Sequence, residues 1–181
     1  MGCELVAKTG WLRKQQTLLV ETDFDPDIAE PTVETNKLIC PLLEFNGLMA
    51  DNCTGEILEA RFITSHLTVD PGAIIERDMT LYLFKSINDG ELFSNEIPDI
   101  TTYYNDLLGI ITFNASDFVE LNTVDAISVN VCKGVISETN KGNINLFTSD
   151  VGVIYGYLFN NGLSTDFANN TMTIQLTIRR D

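Results

Sequence analysis

The chain has 181 residues, 44% of them hydrophobic and 20% charged, a composition typical of a folded domain that excludes a disordered polymer. Acidic residues outnumber basic ones 26 to 11, and the formal charge of −15 disfavours binding to the phosphates of a nucleic acid. No apolar run approaches the roughly 20 residues that span a bilayer, and the first residues lack the apolar segment of a signal peptide. We therefore expect a protein made in the cytoplasm that binds neither nucleic acid nor membrane.

Apolar and polar residues alternate along most of the chain, and this period of two indicates β-strands. The alternation predicts strands at residues 17–23, 37–45, 56–66, 79–84, 109–114, 126–131, 134–137, 152–159 and 171–179. Clusters of Asn, Asp and Gly between them favour turns, and helix signals are confined to residues 101–108 and a short turn at Ser116 and Asp117. The pattern predicts an all-β fold, an antiparallel and jelly-roll-like β-sandwich with at most one or two short helices. The strand at 79–84 alternates Met79, Leu81 and Leu83 with Thr80, Tyr82 and Phe84, which predicts a strand covered on both sides. Within the strand at 152–159, Gly156 indicates a bulge or a close approach of the backbone.

The chain changes character near residue 35. Residues 1–35 hold the single tryptophan and an acidic stretch interrupted by prolines, and we expect them to form an N-terminal arm. Residues 36–181 are expected to form one β-sandwich domain. The predicted partner contacts lie in the arm, because tryptophan is favoured at the centre of protein interfaces: Trp11, Leu12, Arg13 and Lys14. Packing of Trp11 on the domain's own core is an equally good interpretation.

The sequence offers little for catalysis. His66 is the single histidine, it lies at the end of a predicted strand, and no G-x-S-x-G motif presents a serine nucleophile. There is no phosphate-binding loop and no G-x-G-x-x-G motif, so no nucleotide cofactor is expected. The four cysteines, at positions 3, 40, 53 and 132, form no C-x-x-C pair, and we expect reduced, mostly buried thiols rather than a zinc site. The chain is therefore expected to be neither an enzyme nor a cofactor-binding protein.

One acidic cluster resembles a calcium loop in its spacing. Asp23, Asp25 and Asp27 occupy relative positions 1, 3 and 5, and Glu34 occupies position 12, which is the ligand spacing of an EF-hand. Position 6 is Ile28 instead of the glycine that makes the sharp turn, and no helices flank the segment. A solvated acidic loop is therefore favoured over a metal site.

Several strand motifs in the part from about residue 36 onward occur in a fixed order. They are Leu-Leu-Glu-Phe-Asn-Gly at 42–47, Thr-Leu-Tyr-Leu-Phe at 80–84, Asp-Leu-Leu-Gly-Ile-Ile-Thr-Phe at 106–113, Ser-Asp-Phe at 116–118, Tyr-Gly-Tyr-Leu at 155–158 and Thr-Ile-Gln-Leu-Thr-Ile at 173–178. As an ordered set these motifs resemble bacteriophage virion structural proteins of the capsid decoration, or cement, kind. The resemblance implies a homo-oligomer, with a trimer favoured, that binds the major capsid protein or other virion proteins on the capsid surface of the virion.

Two other functions are compatible with the same residues. The chain is alternatively a tail, neck or fibre-associated component of the particle. It is also compatible with a carbohydrate-binding β-sandwich, in which exposed tyrosines would form platforms for sugar rings: Tyr82, Tyr103, Tyr104, Tyr155 and Tyr157.

Overall fold

The structure, a computed structural model, describes residues 16–24, 32–39, 42–46, 54–67, 77–86, 107–124, 127–136, 144–147, 153–163, 165–166 and 171–180. The strands that these residues form are β1 (Gln16–Phe24), β2 (Thr32–Val33), β3 (Lys37–Leu38), β4 (Leu43–Phe45), β5 (Thr54–Leu67), β6 (Met79–Phe84), β7 (Leu107–Phe113), β8 (Phe118–Val124), β9 (Ile127–Lys133), β10 (Val135–Ile136), β11 (Ile144–Phe147), β12 (Ile154–Asn160), β13 (Thr165–Asp166) and β14 (Thr171–Arg180). A short 3₁₀ helix at Ala115–Asp117 joins β7 to β8.

The strands form two large antiparallel sheets and one small one. Sheet I has the order β1-β14-β5-β9-β8, with β11 also paired to β5. Sheet II has the order β10-β7-β6-β12-β3, with β4 also paired to β12, and β13 pairs with β2. If β3 and β4 are counted as one strand and the five additional strands β2, β8, β10, β11 and β13 are left out, the two large sheets contain eight principal strands in the orders 1-8-3-6 and 2-7-4-5. This is the strand order of a jelly roll, so the predicted antiparallel, jelly-roll-like β-sandwich is confirmed.

The core lies between the two sheets and follows from the alternation of the strands. Met172, Ile174, Leu176 and Ile178 of β14 are fully buried, while the residues between them are partly exposed. Alternate side chains of a strand point to opposite faces, so one face of β14 packs on sheet II. The ring of Phe62 in sheet I packs against other aromatic rings, with centroid distances of 5.7 Å to Phe113 of sheet II and 6.0 Å to Phe118.

Sheet II is buried on both of its faces. All six residues of β6 are buried, although only Met79, Leu81 and Leu83 belong to the core between the sheets. The alternate residues of β6 and β12 form a second apolar cluster on the outer face of sheet II: Tyr82, Phe84, Tyr157 and Phe159. Its rings meet edge to face, at 5.6 Å for Tyr82 and Phe159 and 5.9 Å for Phe84 and Tyr157. The prediction of a strand covered on both sides at 79–84 is therefore confirmed.

Gly156 of β12 lies at a close approach, as predicted, because side chains of the neighbouring strands β4 and β6 of the same sheet pack over it. A Cβ atom at this position would lie 3.0 Å from Cε2 of Phe45 and 3.1 Å from Cδ1 of Leu81. Gly134 is tighter, because a Cβ atom there would lie 2.5 Å from Cγ2 of Ile111. Both glycines are therefore required for packing, since neither site has room for a methyl group without movement of a neighbour.

Other predictions were wrong in detail. The run at 37–45 is two short strands, β3 and β4, and both pair with β12 at different points along it. The predicted helix at 101–108 overlaps the start of β7, so Leu107 and Leu108 are in a strand; the rest of that segment lies outside the described residues. The short turn at Ser116 and Asp117 is confirmed as the 3₁₀ helix, and β8 and β11 were not predicted.

The strand prediction at 17–23 is confirmed as β1, which pairs along its whole length with β14. This strand belongs to sheet I although it falls within residues 1–35, the segment expected to be an arm. Residues 1–15 lie outside the described part of the chain. The division into an arm and a sandwich stays a prediction.

Candidate functional site

Strand β8 stands at one end of sheet I and exposes large apolar side chains. Val119, which pairs with Val131 of β9, is 60% exposed, and Leu121, at a register shift of the β8–β9 pairing, is 63% exposed. Among the described strands, none pairs with β8 on the side away from β9. Such a strand presents unpaired backbone N–H and C=O groups beside apolar side chains, a combination suited to binding another chain.

The apolar surface of β8 continues across the outer face of sheet I. Val119 is directly opposite Val131 of β9, and Val131 is directly opposite Ile63 of β5. Val131 and Ile63 are partly exposed, and Val129 lies two residues from Val131 on the same face. Leu121 lies at the β-bulge between Glu120 and Asn122, which locally increases strand twist. We call Val119, Leu121, Val129, Val131 and Ile63 the β8 patch.

The inner side of the same edge is polar. The hydroxyl of Ser128 donates a hydrogen bond of 3.2 Å to Oε1 of Glu120, and the amide of Asn130 donates one of 3.2 Å to Oγ of Ser128. Thr64 lies directly opposite Asn130 on β5, and its buried Oγ1 has no hydrogen-bond partner in the structure. His66 is directly opposite Ser128 in the same pairing. The side chains of Ser128, Asn130 and Glu120 provide hydrogen bonds at the end of the core.

Charged side chains flank the β8 patch on the outer face. The guanidinium of Arg61 donates a hydrogen bond to Oε1 of Glu59, and Nζ of Lys133 lies 3.5 Å from Oε2 of the same carboxylate. The hydrogen bond from Arg61 is the main cause that lowers the pKa of Glu59, while partial burial opposes it. Arg179 pairs with Glu56 across β14 and β5. Arg61 and Lys133 are two residues from Ile63 and Val131 and border the patch, whereas the Arg179–Glu56 pair lies farther along β5. Solvent reaches these pairs, so they contribute little to the stability of the fold.

Cys132 is the one cysteine among the described residues, and its thiol is free and buried. Burial, together with the nearby carboxylate of Asp117, raises the pKa of this thiol to about 11. The thiol is therefore protonated at neutral pH and unsuited to act as a nucleophile. This agrees with the expected buried, reduced thiols for Cys132, while the other three cysteines lie outside the described residues.

The predicted site residues are only partly within the described structure. Asp23 is in β1 opposite Thr173, and Glu34 is exposed in the connection between β2 and β3. Asp25, Asp27 and the proposed contacts Trp11, Leu12, Arg13 and Lys14 lie outside the described residues, so the calcium loop and the arm contacts stay predictions. Within the described part of the chain, no group of three or more His, Cys, Asp or Glu side chains could hold a metal ion.

The tyrosine platform proposed for carbohydrate binding was wrong for Tyr82 and Tyr157. Tyr82 and Tyr157 are buried in the outer cluster of sheet II, and Tyr155 packs against that cluster and is partly buried. Tyr103 and Tyr104 lie outside the described residues. A tyrosine ring that packs inside a cluster cannot stack on a sugar, so these residues contribute to stability.

The residues of the β8 patch were missed from the sequence. The signal was present in Phe118, Val119, Glu120 and Leu121, which alternate in the manner of a strand, but they directly follow the turn at Ser116 and Asp117. Position at the end of a sheet is set by the pairing of distant strands, which an isolated strand pattern does not contain. No helix in the part of the chain that the structure describes has the length and apolarity needed to cross a membrane.

No family model and no curated protein matches the chain. Solved structures with some likeness include tomato aspermy virus, with 10% identity, coverage of 92% of this chain and 78% of the other, and a TM-score of 0.32. The mavirus penton protein has 6% identity, coverage of 92% and 100%, and a TM-score of 0.31. Desmodium yellow mottle tymovirus has 10% identity, coverage of 93% and 89%, and a TM-score of 0.25. At these TM-scores the likenesses assign no function to the chain.

Proposed function

We propose that this chain is a structural protein of a bacteriophage particle, a capsid decoration protein that binds the lattice of the major capsid protein as an oligomer. The observation that carries the proposal is the exposed β8 patch at the edge of a well-packed jelly roll. Contiguous exposed apolar surface on a folded domain marks a site of contact with another protein. The resemblance of the strand motifs to bacteriophage virion structural proteins supports a phage particle as the place of that contact.

The packing of the two sheets also suits a scaffold for protein contacts. Sheet II is buried on both faces and sheet I packs on it through a continuous apolar core, so the outer face of sheet I is held rigidly. A rigid surface loses little conformational entropy on binding, which favours stable association. Jelly rolls are used in viral capsid proteins and in lectins, so the fold alone is compatible with either role.

Burial of the tyrosines favours the particle role over the lectin role. Tyr82 and Tyr157 are unavailable to sugar, whereas Val119 and Leu121 present an aliphatic surface that suits protein. Aliphatic side chains do not offer the flat stacking surface that sugar rings favour. The alternative within the particle, a tail, neck or fibre-associated component, uses the same protein-contact surface and differs in the partner and the number of copies.

The experiment is reconstitution on particles assembled without the protein. The purified chain is added to such particles, unbound protein is removed by sedimentation, and the bound protein is quantified per particle. Saturable binding at a fixed ratio to the major capsid protein is expected for decoration. Binding at about a dozen sites would shift the assignment to the neck or tail, and an absence of binding together with a reproducible signal on a glycan array would favour the lectin role.

A further inference from the structure

We infer that β8 of one copy accepts residues 1–15 of a neighbouring copy as an added strand, so that copies join head to tail. This inference rests on the proposed function, because it names how the oligomer is held together. The acceptor is the edge of sheet I, and the donor is the segment that immediately precedes β1.

The backbone of β8 provides the first half of the contact. In an antiparallel pair, a strand offers alternate N–H and C=O groups to each of its neighbours, and β8 uses one set with β9. Its opposite side has no partner among the described strands. An added peptide would satisfy this second set through main-chain hydrogen bonds, which is the usual way in which a sheet edge binds an extended segment.

The side chains of β8 define what the added strand must carry. Val119 and Leu121 are the exposed apolar groups of this strand, and Val131 continues the surface onto β9. Residues 1–15 contain Trp11 and Leu12. Consecutive side chains of a strand point to opposite faces of the sheet, so an added strand would present one of these two residues to each face. A tryptophan seated on the β8 patch would bury the largest apolar surface that the segment offers.

Charge supplies a second and independent reason for this pairing. Residues 1–15 hold Lys8, Arg13 and Lys14 against Glu4, a net charge of +2 in a chain whose other residues carry −17. The segment 115–125, which contains β8, holds three acidic residues, Asp117, Glu120 and Asp125, and no basic one. Two copies of a chain at −15 repel each other overall, so contact is best made where the basic segment meets an acidic edge.

The position of the donor segment allows it to reach a neighbouring copy. Residues 1–15 lead into β1, which is at the opposite end of sheet I from β8, with β14, β5 and β9 between them. Four strand spacings separate β1 from β8, about 19 Å, and fifteen extended residues reach about 50 Å, enough to leave one domain and lie along the next. The donor and the acceptor are different surfaces, so the contact is heterologous, and it forms a ring such as the expected trimer when the rotation between copies closes.

The test compares the mass in solution of four proteins by light scattering coupled to gel filtration. The full chain is expected to be an oligomer. Deletion of residues 1–15 and, separately, the double substitution Val119→Lys with Leu121→Lys are each expected to give a monomer. Leu163→Lys is the matched control, because Leu163 is 74% exposed and follows β12 of sheet II, and this variant is expected to stay oligomeric. Circular dichroism and thermal unfolding establish that each variant is folded.

Mixing the two defective proteins identifies the partner. The deletion variant keeps an acceptor and lacks a donor, while the double-lysine variant keeps a donor and lacks an acceptor. Head-to-tail exchange predicts a 1:1 heterodimer in the mixture, weakened by salt. The inference is overturned if the full chain is a monomer, if the deletion variant stays oligomeric through pairing of β8 with β8, or if the mixture contains only monomers.

Binding to particles tests the proposed function separately from strand exchange. Each variant is also measured for binding to particles assembled without the protein. A deletion variant that stays oligomeric and still binds particles overturns strand exchange and leaves the particle role in place. An oligomer that behaves as inferred but never binds particles supports strand exchange and contradicts the proposed function.

Discussion

The side-chain amide of Asn160 donates a hydrogen bond of 3.0 Å to the carbonyl oxygen of Val33 and so joins the end of β12 to the end of β2. The same amide group donates to the carbonyl oxygens of Glu34 and Leu163 at 3.3 and 3.0 Å, while its Oδ1 accepts from the N–H of Gly162. Asn160 is completely buried, and the turn that it holds contains Asn36 in the left-handed region, with φ of 64°. One buried side chain therefore satisfies backbone groups of two connections.

Replacement of Asn160 is expected to destabilise the fold strongly. Asn160→Ala leaves these backbone groups without their partner and is expected to lower the free energy of unfolding by about 2–4 kcal/mol. Asn160→Asp places a carboxylate beside carbonyl oxygens and is expected to cost at least as much at neutral pH. Urea unfolding measures both, with Asn46→Asp at an exposed position as the control. Equal stability of Asn160→Asp and Asn46→Asp would show that the buried amide network does not hold these connections.

The two tight glycines predict a graded loss of stability. Gly156→Ala places a methyl group 3.0 Å from Phe45, and Gly134→Ala places one 2.5 Å from Ile111. Overpacking of a core costs about 1–3 kcal/mol, and we expect Gly134→Ala to lie at the upper end of that range and Gly156→Ala at the lower. Denaturant midpoints at constant slope give both values. A larger loss of stability in Gly156→Ala than in Gly134→Ala would contradict the packing described around these two glycines.

Thr64 and Thr80 form a matched pair of buried threonines with opposite expectations. Oγ1 of Thr64 has no hydrogen-bond partner, whereas Oγ1 of Thr80 accepts a hydrogen bond from the side chain of Asn161. Thr64→Val is therefore expected to be neutral or to stabilise by up to about 1 kcal/mol, and Thr80→Val to cost about 1–2 kcal/mol. Thermal unfolding of the two variants compares them directly. A clear loss in Thr64→Val would indicate a bridging group at that hydroxyl.

The raised pKa of the Cys132 thiol predicts how the stability of the fold depends on pH. Its pKa rises from an ordinary value of 9.0 to about 11 in the folded chain, mainly through burial. The folded state therefore holds the thiol proton more tightly than the unfolded state, so stability is full below pH 9 and falls between about pH 9 and 11. Cys132→Val is expected to reduce this fall. An unchanged pH dependence in the variant would show that Cys132 does not contribute to it.

Reactivity tests the same thiol at constant pH. In a variant with serine at positions 3, 40 and 53, Cys132 is the remaining cysteine, and a thiol reagent at pH 8 is expected to label it only after denaturant is added. Rapid labelling of the native protein would contradict its burial.

Local pattern was enough to predict the fold class and most principal strands. The alternation at 171–179 is confirmed in β14, where each apolar residue from Met172 to Ile178 is buried. The run at 79–84 was predicted to be covered on both sides and is. In both strands, burial depends on side-chain period, which is written in the sequence itself.

The candidate site depended on relations that the sequence does not contain. Val119 and Leu121 are notable because β8 pairs on one side only, and that follows from the order of strands that are far apart in the chain. Tyr82 and Tyr157 were expected at the surface only in the carbohydrate-binding alternative, yet both lie in the buried cluster on the outer face of sheet II. Neither the end of a sheet nor the covering of a face is visible in the period of a single strand.

The most direct test of the central claim is the number of copies of this chain in purified phage particles, measured by quantitative mass spectrometry against the major capsid protein. A decoration protein predicts hundreds of copies in fixed ratio to the major capsid protein, retained through density-gradient purification. About a dozen copies would place the protein in the neck or tail instead. Particles that contain none of it, although the protein is abundant in infected cells, would contradict a structural role in the virion.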